Sequence, residues 1–335
     1  SPSRVGRIYA IAESDGVHMW ANGLAGVTAV RSVHQITPTD ASVPVGVMSP
    51  TAEGARIRQS TSASGESPEE LSRTGTARVF AVWGPVGSPG ITTTAISLAA
   101  ACALSGLSVV LCDLDTRGSS IAVALNLTDD TPGFAAVCRL AGRGELTADE
   151  VLRLSAQVDH DGLRFSVLTG LPRASRWAEV APHKTRAAIG LLSTLFDVVI
   201  IDVGFGAEDN EWIEDAPQRD GTTRAVLQLA DAVVAVGASD AVGVSRIIRG
   251  LDEISDVCAS PTLVLNRVAR GDGGDAMDVI HRFTEHRVSA SIPVDSRRGV
   301  DDALSRARHH PEPWRAIARN LGVTVTAPRL PRWRR

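Results

Sequence analysis

Residues 81–94 read AVWGPVGSPGITTT: an apolar run, a glycine-rich turn and the start of an alanine-rich segment of helical character. Strand, turn and helix in this order form the layout of a phosphate-binding loop, in which backbone N–H groups and a helix N-terminus hold phosphate oxygens. The consensus G-x-x-x-x-G-K-[ST] places a lysine after the second glycine, whereas Ile91 follows Gly90 here. Thr92 keeps the hydroxyl that holds Mg²⁺ in such loops. The stretch therefore predicts the scaffold of a nucleotide site without its main cation.

Another cation of the chain would have to replace that lysine. Arginine is used instead of lysine almost throughout, and Lys184 is the only lysine among the 335 residues. A strand predicted at 163–168 should end on the side of the loop, and Arg173, Arg176 and Lys184 follow it in sequence. These three residues are candidates to reach a phosphate, within the chain or across a dimer. The alternative is that they are solvated surface cations.

The composition fits a large α/β core. Hydrophobic residues make up 44% of the chain but aromatic residues only 4%, so the core consists of Val, Leu, Ile and Ala, which suits parallel strands buried on both faces. The net charge of −4 argues against a protein that coats nucleic acid. The four cysteines form no C-x-x-C pair and no apolar run reaches about 18 residues. We therefore expect buried, reduced cysteines in a soluble cytoplasmic protein.

The chain divides into four predicted regions. Residues 1–48 contain two short β-like runs and form a small N-terminal module or extension. Residues 49–76 are rich in Ser, Thr, Glu, Gly and Ala, which is typical of a flexible linker. An α/β domain spans 77–325, and a basic tail spans 326–335.

Strand-like and helix-like segments alternate within the α/β domain. This alternation predicts βαβ units and a parallel, doubly wound sheet flanked by helices. Ligands of such sheets bind at the carboxyl ends of the strands. The predicted strands are 78–83, 108–113, 163–168, 197–202, 232–236 and 262–265, and the predicted helices are 92–104, 184–195, 241–254 and 275–285.

Three carboxylates stand at the ends of two of these strands. Asp113 and Asp115 end the second predicted strand, and Asp202 ends the strand at 197–202. At the tips of adjacent parallel strands these side chains would repel one another unless a cation or ordered water lay between them. The sequence therefore predicts a cation site beside the glycine-rich loop.

With the loop and these acids in place, the chain from about residue 78 to 323 resembles the ParA/MinD family of P-loop ATPases. It is most similar to the atypical members that position pili and division sites in bacteria, such as the CpaE/TadZ group. The family loop reads K-G-G-V-G-K-T-T, and alignment on Gly90 puts Val86 and Ile91 at its two lysines. Pro85 and Pro89 also remove two backbone donors from the loop. The resemblance thus implies a degenerate Walker A motif.

The resemblance also implies roles for individual residues. Thr92, Asp113 and Asp202 would hold Mg²⁺, Asp202 being the Walker B acid. Asp115 would orient the attacking water, with Asp113 as the second catalytic acid. ATP or ADP would contact the loop and two later segments, one at the base and one near the nucleotide. The implied nucleotide-binding residues are Gly87, Ser88, Gly90, Ile91, Thr92, Thr93, Asn266, Arg267 and Asp295.

Three functions remain open from the sequence. The favoured one is a spatial regulator of pilus assembly or of septum or chromosome positioning, which binds ATP weakly or not at all and hydrolyses it poorly. The second is an active Mg²⁺-dependent ATPase that partitions cargo on DNA or membrane and uses a surrogate cation. The third, a metabolic ligase on the same scaffold, would require substrate-binding loop residues that the sequence does not show.

Two segments are candidates for partner contacts. The acidic stretch 208–215 contains Trp212 and Ile213, and an apolar pair among acids favours a dimer or partner contact over a solvated loop. The tail carries four arginines and one tryptophan in 329–335, so it either meets a membrane or nucleic acid weakly or is a disordered basic tail. We expect a homodimer with protein partners of the pilus or division machinery, either cytoplasmic or peripheral at the membrane or pole.

Overall fold

The computed structural model describes residues 8–11, 27–30, 77–87, 89–127, 133–160, 162–207, 219–269, 273–294, 303–304, 307 and 311–324. The chain divides into two units, Ser1–Ser67 and Pro68–Arg335. In the first unit, β1 (Ile8–Ile11) and β2 (Val27–Val30) pair in parallel, and both lie within the β-like runs of the sequence. The predicted linker and tail lie outside the described residues, so the four-region division stays a prediction.

The second unit contains an eight-stranded sheet. Its strands are β3 (Arg78–Trp83), β4 (Val109–Asp113), β5 (Ala156–His160), β6 (Leu163–Leu168), β7 (Val198–Asp202), β8 (Ala232–Ala238), β9 (Thr262–Val268) and β10 (Val288–Pro293). Their order across the sheet is β10-β9-β8-β3-β7-β4-β6-β5. All neighbours are parallel except β5, which pairs antiparallel with β6 at the edge.

Helices connect these strands. They are α1 (Ile91–Ala103), α2 (Ile121–Ala124), α3 (Gly133–Ala141), α4 (Ala148–Leu154), a 3₁₀ helix at Ala174–Val180, α5 (Pro182–Leu195), α6 (Gly221–Leu229), α7 (Ala241–Glu253), α8 (Gly273–Phe283) and α9 (Glu312–Asn320). Within the described residues every helix is too short or too polar to cross a lipid bilayer.

The sheet is covered on both faces, as the apolar strands predict. In β3, Phe80 and Val82 pack into one core with residues of α1 and α9. Val79, Ala81 and Trp83 point the other way and pack with residues of α3 to α8. Alternation between two cores explains why β3 is apolar at nearly every position. The α/β, doubly wound fold predicted from the sequence is confirmed. The sequence did not predict the two edge strands β5 and β10 or the helices α2, α3, α4, α6 and α9.

The strand order brings the glycine-rich loop to the middle of the sheet. β3 lies between β7 and β8, while the helix after the loop crosses to β4, one strand further along. The direction of winding reverses here, and a crevice at the carboxyl ends of the strands forms at such a point. The cysteines stay away from it as core residues: Cys102, Cys112 and Cys138 are buried and Cys258 is half-buried, all without a disulfide.

Candidate nucleotide site

The loop between β3 and α1 has the backbone of a phosphate-binding turn. Gly87 and Gly90 have φ angles of 112° and 104°, in the left-handed region that favours glycine. Gly90 is the N-cap of α1, no side chain caps the helix, and its first turn carries no acid. The helix N-terminus therefore offers its free N–H groups and its partial positive charge to an anion. Pro85 and Pro89 contribute no N–H of their own.

Both lysine positions of the family motif hold apolar side chains with different surroundings. Val86 is 50% exposed on the loop. Ile91 is half-buried and packs against the core that α1 shares with the sheet. A Cβ atom built on Gly84 would lie 3.1 Å from Ile91 Cγ1, so the isoleucine side chain turns back over the start of the loop. Neither residue brings a charge to a phosphate.

Asn266 ties the end of β9 to the loop. Its Nδ2 donates a hydrogen bond to the carbonyl oxygen of Pro89 over 2.7 Å, and its Oδ1 accepts one from the N–H of Arg267 over 2.8 Å. Arg267 is exposed and has a φ of 60°, rare for a residue with a side chain. The structure thus places Asn266 against the loop, and the predicted base contact of Asn266 and Arg267 stays a prediction.

Asp113 is a buried acid that closes the turn after β4. Its Oδ2 accepts hydrogen bonds from the N–H groups of Ser120 (2.9 Å) and Ile121 (3.0 Å), and its Oδ1 accepts one from Asp115 (3.2 Å). Burial raises the pKa of Asp113 to about 6, although these backbone hydrogen bonds lower it. Asp113 is the register partner of Asp202 on the adjacent strand β7.

Asp202 has an unsatisfied carboxylate oxygen. The residue is 1% exposed, and its Oδ2 accepts no hydrogen bond within the described part of the chain. Burial and then the neighbouring Asp113 charge raise the pKa of Asp202 well above its usual range, while the Thr92 hydroxyl acts in the opposite direction. Thr92 Oγ1 also lies 3.0 Å from Ser120 Oγ. A buried carboxylate oxygen beside a hydroxyl and a second acid is a position that a cation would stabilise.

Asp115 is held close to the end of β7 by its own turn. Its Oδ1 accepts hydrogen bonds from the N–H groups of Arg117 (2.8 Å) and Gly118 (3.1 Å). A Cβ atom on Gly204 would lie 2.7 Å from Asp115 Cγ, so only glycine leaves room for this carboxylate. Both Asp113 and Asp115 add a repulsive contribution to the pKa of Asp202. The structure thus brings together the three acids that the sequence predicted to be neighbours.

These residues fit Mg²⁺ only together with a phosphate ligand. Among the described residues, no three His, Cys, Asp or Glu side chains are arranged to hold a metal ion alone. Mg²⁺ commonly takes one or two carboxylates and completes its shell with water and substrate phosphates. The open Oδ2 of Asp202 and the Thr92 hydroxyl suit that arrangement, with the phosphates lying at the start of α1. The fit to a triphosphate is weaker because Val86 and Ile91 supply no cation.

Next to the loop lies a cleft of about 430 Å³ that the sequence did not predict. Val86, Arg117, Phe205, Arg246 and Arg249 are among the residues that line it. Of these, Arg117 forms an ion pair with Asp220, and its guanidinium carbon lies 5.2 Å from the centre of the Phe205 ring.

Close packing of α7 brings Arg246 to the loop. The N-cap Asp240 accepts a hydrogen bond from the N–H of Gly243 over 2.9 Å, and a Cβ atom on Gly250 would lie 2.7 Å from Trp83 Cη2. With glycine at 250, α7 packs closely on the Trp83 side chain at the end of β3. Arg246 therefore places its guanidinium against Gly87, where an added Cβ atom would be 3.0 Å from Arg246 Cζ.

The cations that the sequence put forward have other neighbours. Arg176 forms an ion pair with Glu179, with Nε to Oε1 at 2.5 Å. Lys184 packs its aliphatic stem near α3, 3.1 Å from a Cβ atom built on Gly142. No hydrogen bond or ion pair of the described residues joins Arg173, Arg176 or Lys184 to the loop. Ser88, Asp295 and the pair Trp212 and Ile213 lie outside the described residues, so their predicted roles stay predictions.

Comparison with known proteins places the fold. No family model matches the chain, and no curated protein is similar to it. Solved structures do match over most of their length. A ParA family ATPase from Chlorobium tepidum is 16% identical with a TM-score of 0.58, covering 73% of this chain and 98% of its own. An ATP complex of a McdA variant from Cyanothece is 16% identical with a TM-score of 0.57, covering 76% and 99%.

The septum site-determining protein MinD from Pyrococcus horikoshii, solved with Mg-ADP, is 20% identical with a TM-score of 0.53. It covers 72% of this chain and 92% of its own. At these identities the likeness concerns the fold. The chain has the fold of the ParA/MinD-like P-loop ATPases.

Proposed function

We propose that the protein is a ParA/MinD-like spatial regulator that binds a Mg²⁺–nucleotide weakly and hydrolyses it at most slowly. The observation that carries this proposal is the unsatisfied Oδ2 of Asp202, buried beside Thr92 and Asp113 at the uncapped N-terminus of α1. A phosphate-bound Mg²⁺ would meet this oxygen while the helix N-terminus meets the phosphates. The neighbours of the same fold that were solved with ATP and with Mg-ADP support the choice of ligand.

Weak binding follows from the two apolar residues in the loop. Each lost charge-assisted hydrogen bond to a phosphate removes about 1.5–3 kcal/mol of binding free energy. Two such losses, at Val86 and Ile91, would lower the affinity by at least about two decades relative to a loop with both lysines. The two prolines remove further donors. The contacts that remain within the motif itself are backbone N–H groups, Thr92 and the metal.

Slow turnover follows because phosphoryl transfer depends mainly on positioning and on charge stabilisation in the transition state. Loss of one transition-state cation lowers the rate of such reactions by about 10³- to 10⁵-fold. The Ile91 side chain packs against the core, so it makes an apolar contact and supplies no charge to a phosphate. Asp115 is still held beside the end of β7 and would orient a water molecule. The site therefore keeps the groups for binding and for a residual reaction.

An active ATPase is the second candidate, and one observation favours it. The guanidinium of Arg246 lies against Gly87, so the loop does have a neighbouring cation. If this arginine also followed the transferring phosphoryl group, hydrolysis would be restored without either lysine. The measured turnover number decides between the two candidates.

We extend the proposal to a homodimer whose shared face includes this site. Val86 and Phe205 are 50% and 37% exposed beside the loop, and a second copy would cover them. Partners from pilus or division machinery and peripheral attachment to the membrane or pole rest on the family resemblance. Light scattering with and without Mg-ATP tests the dimer: a mass that stays monomeric in both conditions contradicts it.

The nucleotide proposal is tested by calorimetric titration of ATP and ADP, with and without Mg²⁺, and by phosphate release on the same samples. We expect Mg²⁺-dependent binding and release at or near background. Asp115→Ala serves as the paired variant and should bind as the wild type does. Release that Asp115→Ala abolishes would establish the active ATPase, and absence of binding at millimolar ATP would overturn the nucleotide proposal.

A further inference from the structure

We propose that Arg246 supplies the positive charge that the loop lysines do not, so that a nucleotide at this site binds its phosphates against a guanidinium carried by α7. The inference rests on the proposed function, and it names the residue on which the affinity of that site depends. The sequence motif would place this cation in the loop itself, and the sequence alternatives lie in the segment after β6, whereas Arg246 lies on α7.

Arg246 lies against the glycine-rich loop. Its guanidinium occupies the position that a side chain at residue 87 would take, and its Cδ atom would be 3.6 Å from an added Cβ. Gly87 is part of the turn that presents backbone N–H groups to phosphates. A phosphate held by this turn would therefore have the Arg246 guanidinium as a neighbour of its loop.

The helix that carries Arg246 is held firmly in place. α7 is capped at Asp240 and lies against β8 and β3 through Gly243 and Gly250, with contacts too close for larger residues. Val244, Ile247 and Leu251 lie on the same side of the helix as these glycines and are buried in the core. The arginine therefore extends from a fixed backbone, so a ligand orders only its side chain and no further part of the chain.

The described residues that line the cleft carry more positive than negative charge. Arg117 is already paired with Asp220, and the Glu253 carboxylate accepts a hydrogen bond from the N–H of Ala207 over 2.8 Å. Arg246 and Arg249 form no hydrogen bond or ion pair with other described residues. The three arginines and two carboxylates among the described residues that line the cleft leave one positive charge in excess, and the acids Asp113, Asp115 and Asp202 lie together at the nucleotide site. A polyphosphate that carries Mg²⁺ is complementary to both groups, with oxygens for Arg246 and the metal for the acids.

Arg249 provides a matched comparison. It lies one turn after Arg246 on the same face of α7, lines the same cleft and is also exposed. No glycine of the loop would contact it through an added Cβ atom, whereas Gly87 would contact Arg246. A general effect of cleft charge would involve both arginines, and a direct phosphate contact would involve Arg246 alone.

The experiment measures the dissociation constant of Mg-ATP by calorimetry for the full-length wild type and for Arg246→Ala, Arg246→Gln, Arg246→Lys and Arg249→Ala. Both neutral variants at 246 should weaken binding about 10- to 100-fold, the range expected for one charge-assisted hydrogen bond. Arg246→Lys should recover part of the loss, and Arg249→Ala should change the constant less than about threefold. The affinity of the wild type should also fall more steeply with salt than that of the neutral variants, which a merely structural role would not produce. Melting curves confirm that each variant is folded, and Arg246→Gln carries the test if Arg246→Ala is not.

The outcomes separate this inference from the proposed function. If the wild type binds and the neutral variants bind equally well, Arg246 is not the phosphate cation, although the nucleotide function stands. Equal weakening by Arg249→Ala overturns the assignment in favour of a diffuse cleft charge. Tighter binding by Arg246→Ala overturns it as well, because the guanidinium would then occupy the phosphate position. If the wild type does not bind at millimolar Mg-ATP, both proposals fall.

Discussion

Replacing Asp202 by asparagine, which keeps the shape of the side chain and removes its charge, should raise the melting temperature of the nucleotide-free protein. Asp202 is fully buried, its Oδ2 has no hydrogen-bond partner among the described residues, and Asp113 lies directly across from it on β4. An amide at this position no longer repels Asp113 and offers N–H donors to it. The substitution therefore relieves electrostatic strain that only a bound cation would otherwise relieve.

The size of the effect can be worked from the neighbouring acid. Burial raises the pKa of Asp113 from 3.8 to about 6. Because the carboxyl group is ionised at neutral pH, this difference lowers the stability of the folded protein by roughly 3 kcal/mol. Asp202 is buried to the same degree, with a shift of the same sign. A buried polar group without a partner costs about 1–3 kcal/mol, so relief of about 2 kcal/mol is a central expectation. For a unit of this size each kcal/mol moves the melting temperature by about 2–4 °C, which gives an increase of about 4–8 °C.

The assay is thermal unfolding followed by circular dichroism in EDTA at pH 7.5. Asp252→Asn, on the exposed side of α7, is the control and should change the free energy of unfolding by less than about 0.5 kcal/mol. With Mg-ATP at ten times its dissociation constant the wild type should gain about 1.4 kcal/mol, and Asp202→Asn should gain little because it lacks the metal ligand. A lower melting temperature for ligand-free Asp202→Asn would refute the reasoning, because Asp202 would then stabilise the fold as a charge.

Three further outcomes follow from the same geometry. Because the pKa of Asp113 is raised to about 6, the folded protein binds its proton more tightly than the unfolded chain does. The contribution of this group to the stability of the ligand-free protein should therefore be full below about pH 4 and should fall by up to about 3 kcal/mol as the pH rises through about 6. Urea unfolding at a series of pH values should show a smaller loss for Asp113→Asn. Gly250→Ala should destabilise the protein by about 1–3 kcal/mol in chemical denaturation, because the new methyl group would lie 2.7 Å from Trp83 Cη2; an unchanged midpoint would show that α7 is free to shift. Asn266→Ala removes the hydrogen bond to Pro89 and should lower stability by about 1–2 kcal/mol while speeding amide hydrogen exchange in the loop, so unchanged exchange would argue against the tether.

The sequence predicts the centre of this fold well because buried strands and glycine turns leave local signals. β3 and β6 end where the sequence places them, at residues 83 and 168. Asp113 and Asp202 were recognisable because each follows an unbroken apolar run. β5 was missed because AQVDH is short and polar, as an edge strand with one solvated side can be. α3 was missed since nothing in its sequence marks the helix start at Gly133.

The cleft and Arg246 could not be predicted, since they depend on contacts between distant parts of the chain. Gly87 and Arg246 are joined only because β8 lies beside β3 and glycine at 250 lets α7 pack against Trp83. Strand order is not readable from the local pattern of one sequence. Because β8 lies beside β3, the helix that follows β8 begins close to the loop that follows β3, and a cation on that helix is a neighbour of the loop. Arg173, Arg176 and Lys184 were put forward because they follow a strand that ends on the side of the loop, and their role across a dimer stays a prediction.

The measurement that tests the central claim most directly is a single-turnover experiment with γ-labelled ATP and excess protein in Mg²⁺, in which bound nucleotide is trapped by filtration and its phosphate analysed over one hour. The account predicts that ATP is retained on the protein and recovered largely intact, with Asp202→Asn retaining much less. Retention followed by complete conversion to ADP within minutes, blocked by Asp115→Ala, would contradict the slow-turnover assignment. No retention at any protein concentration up to the millimolar range would contradict nucleotide binding itself.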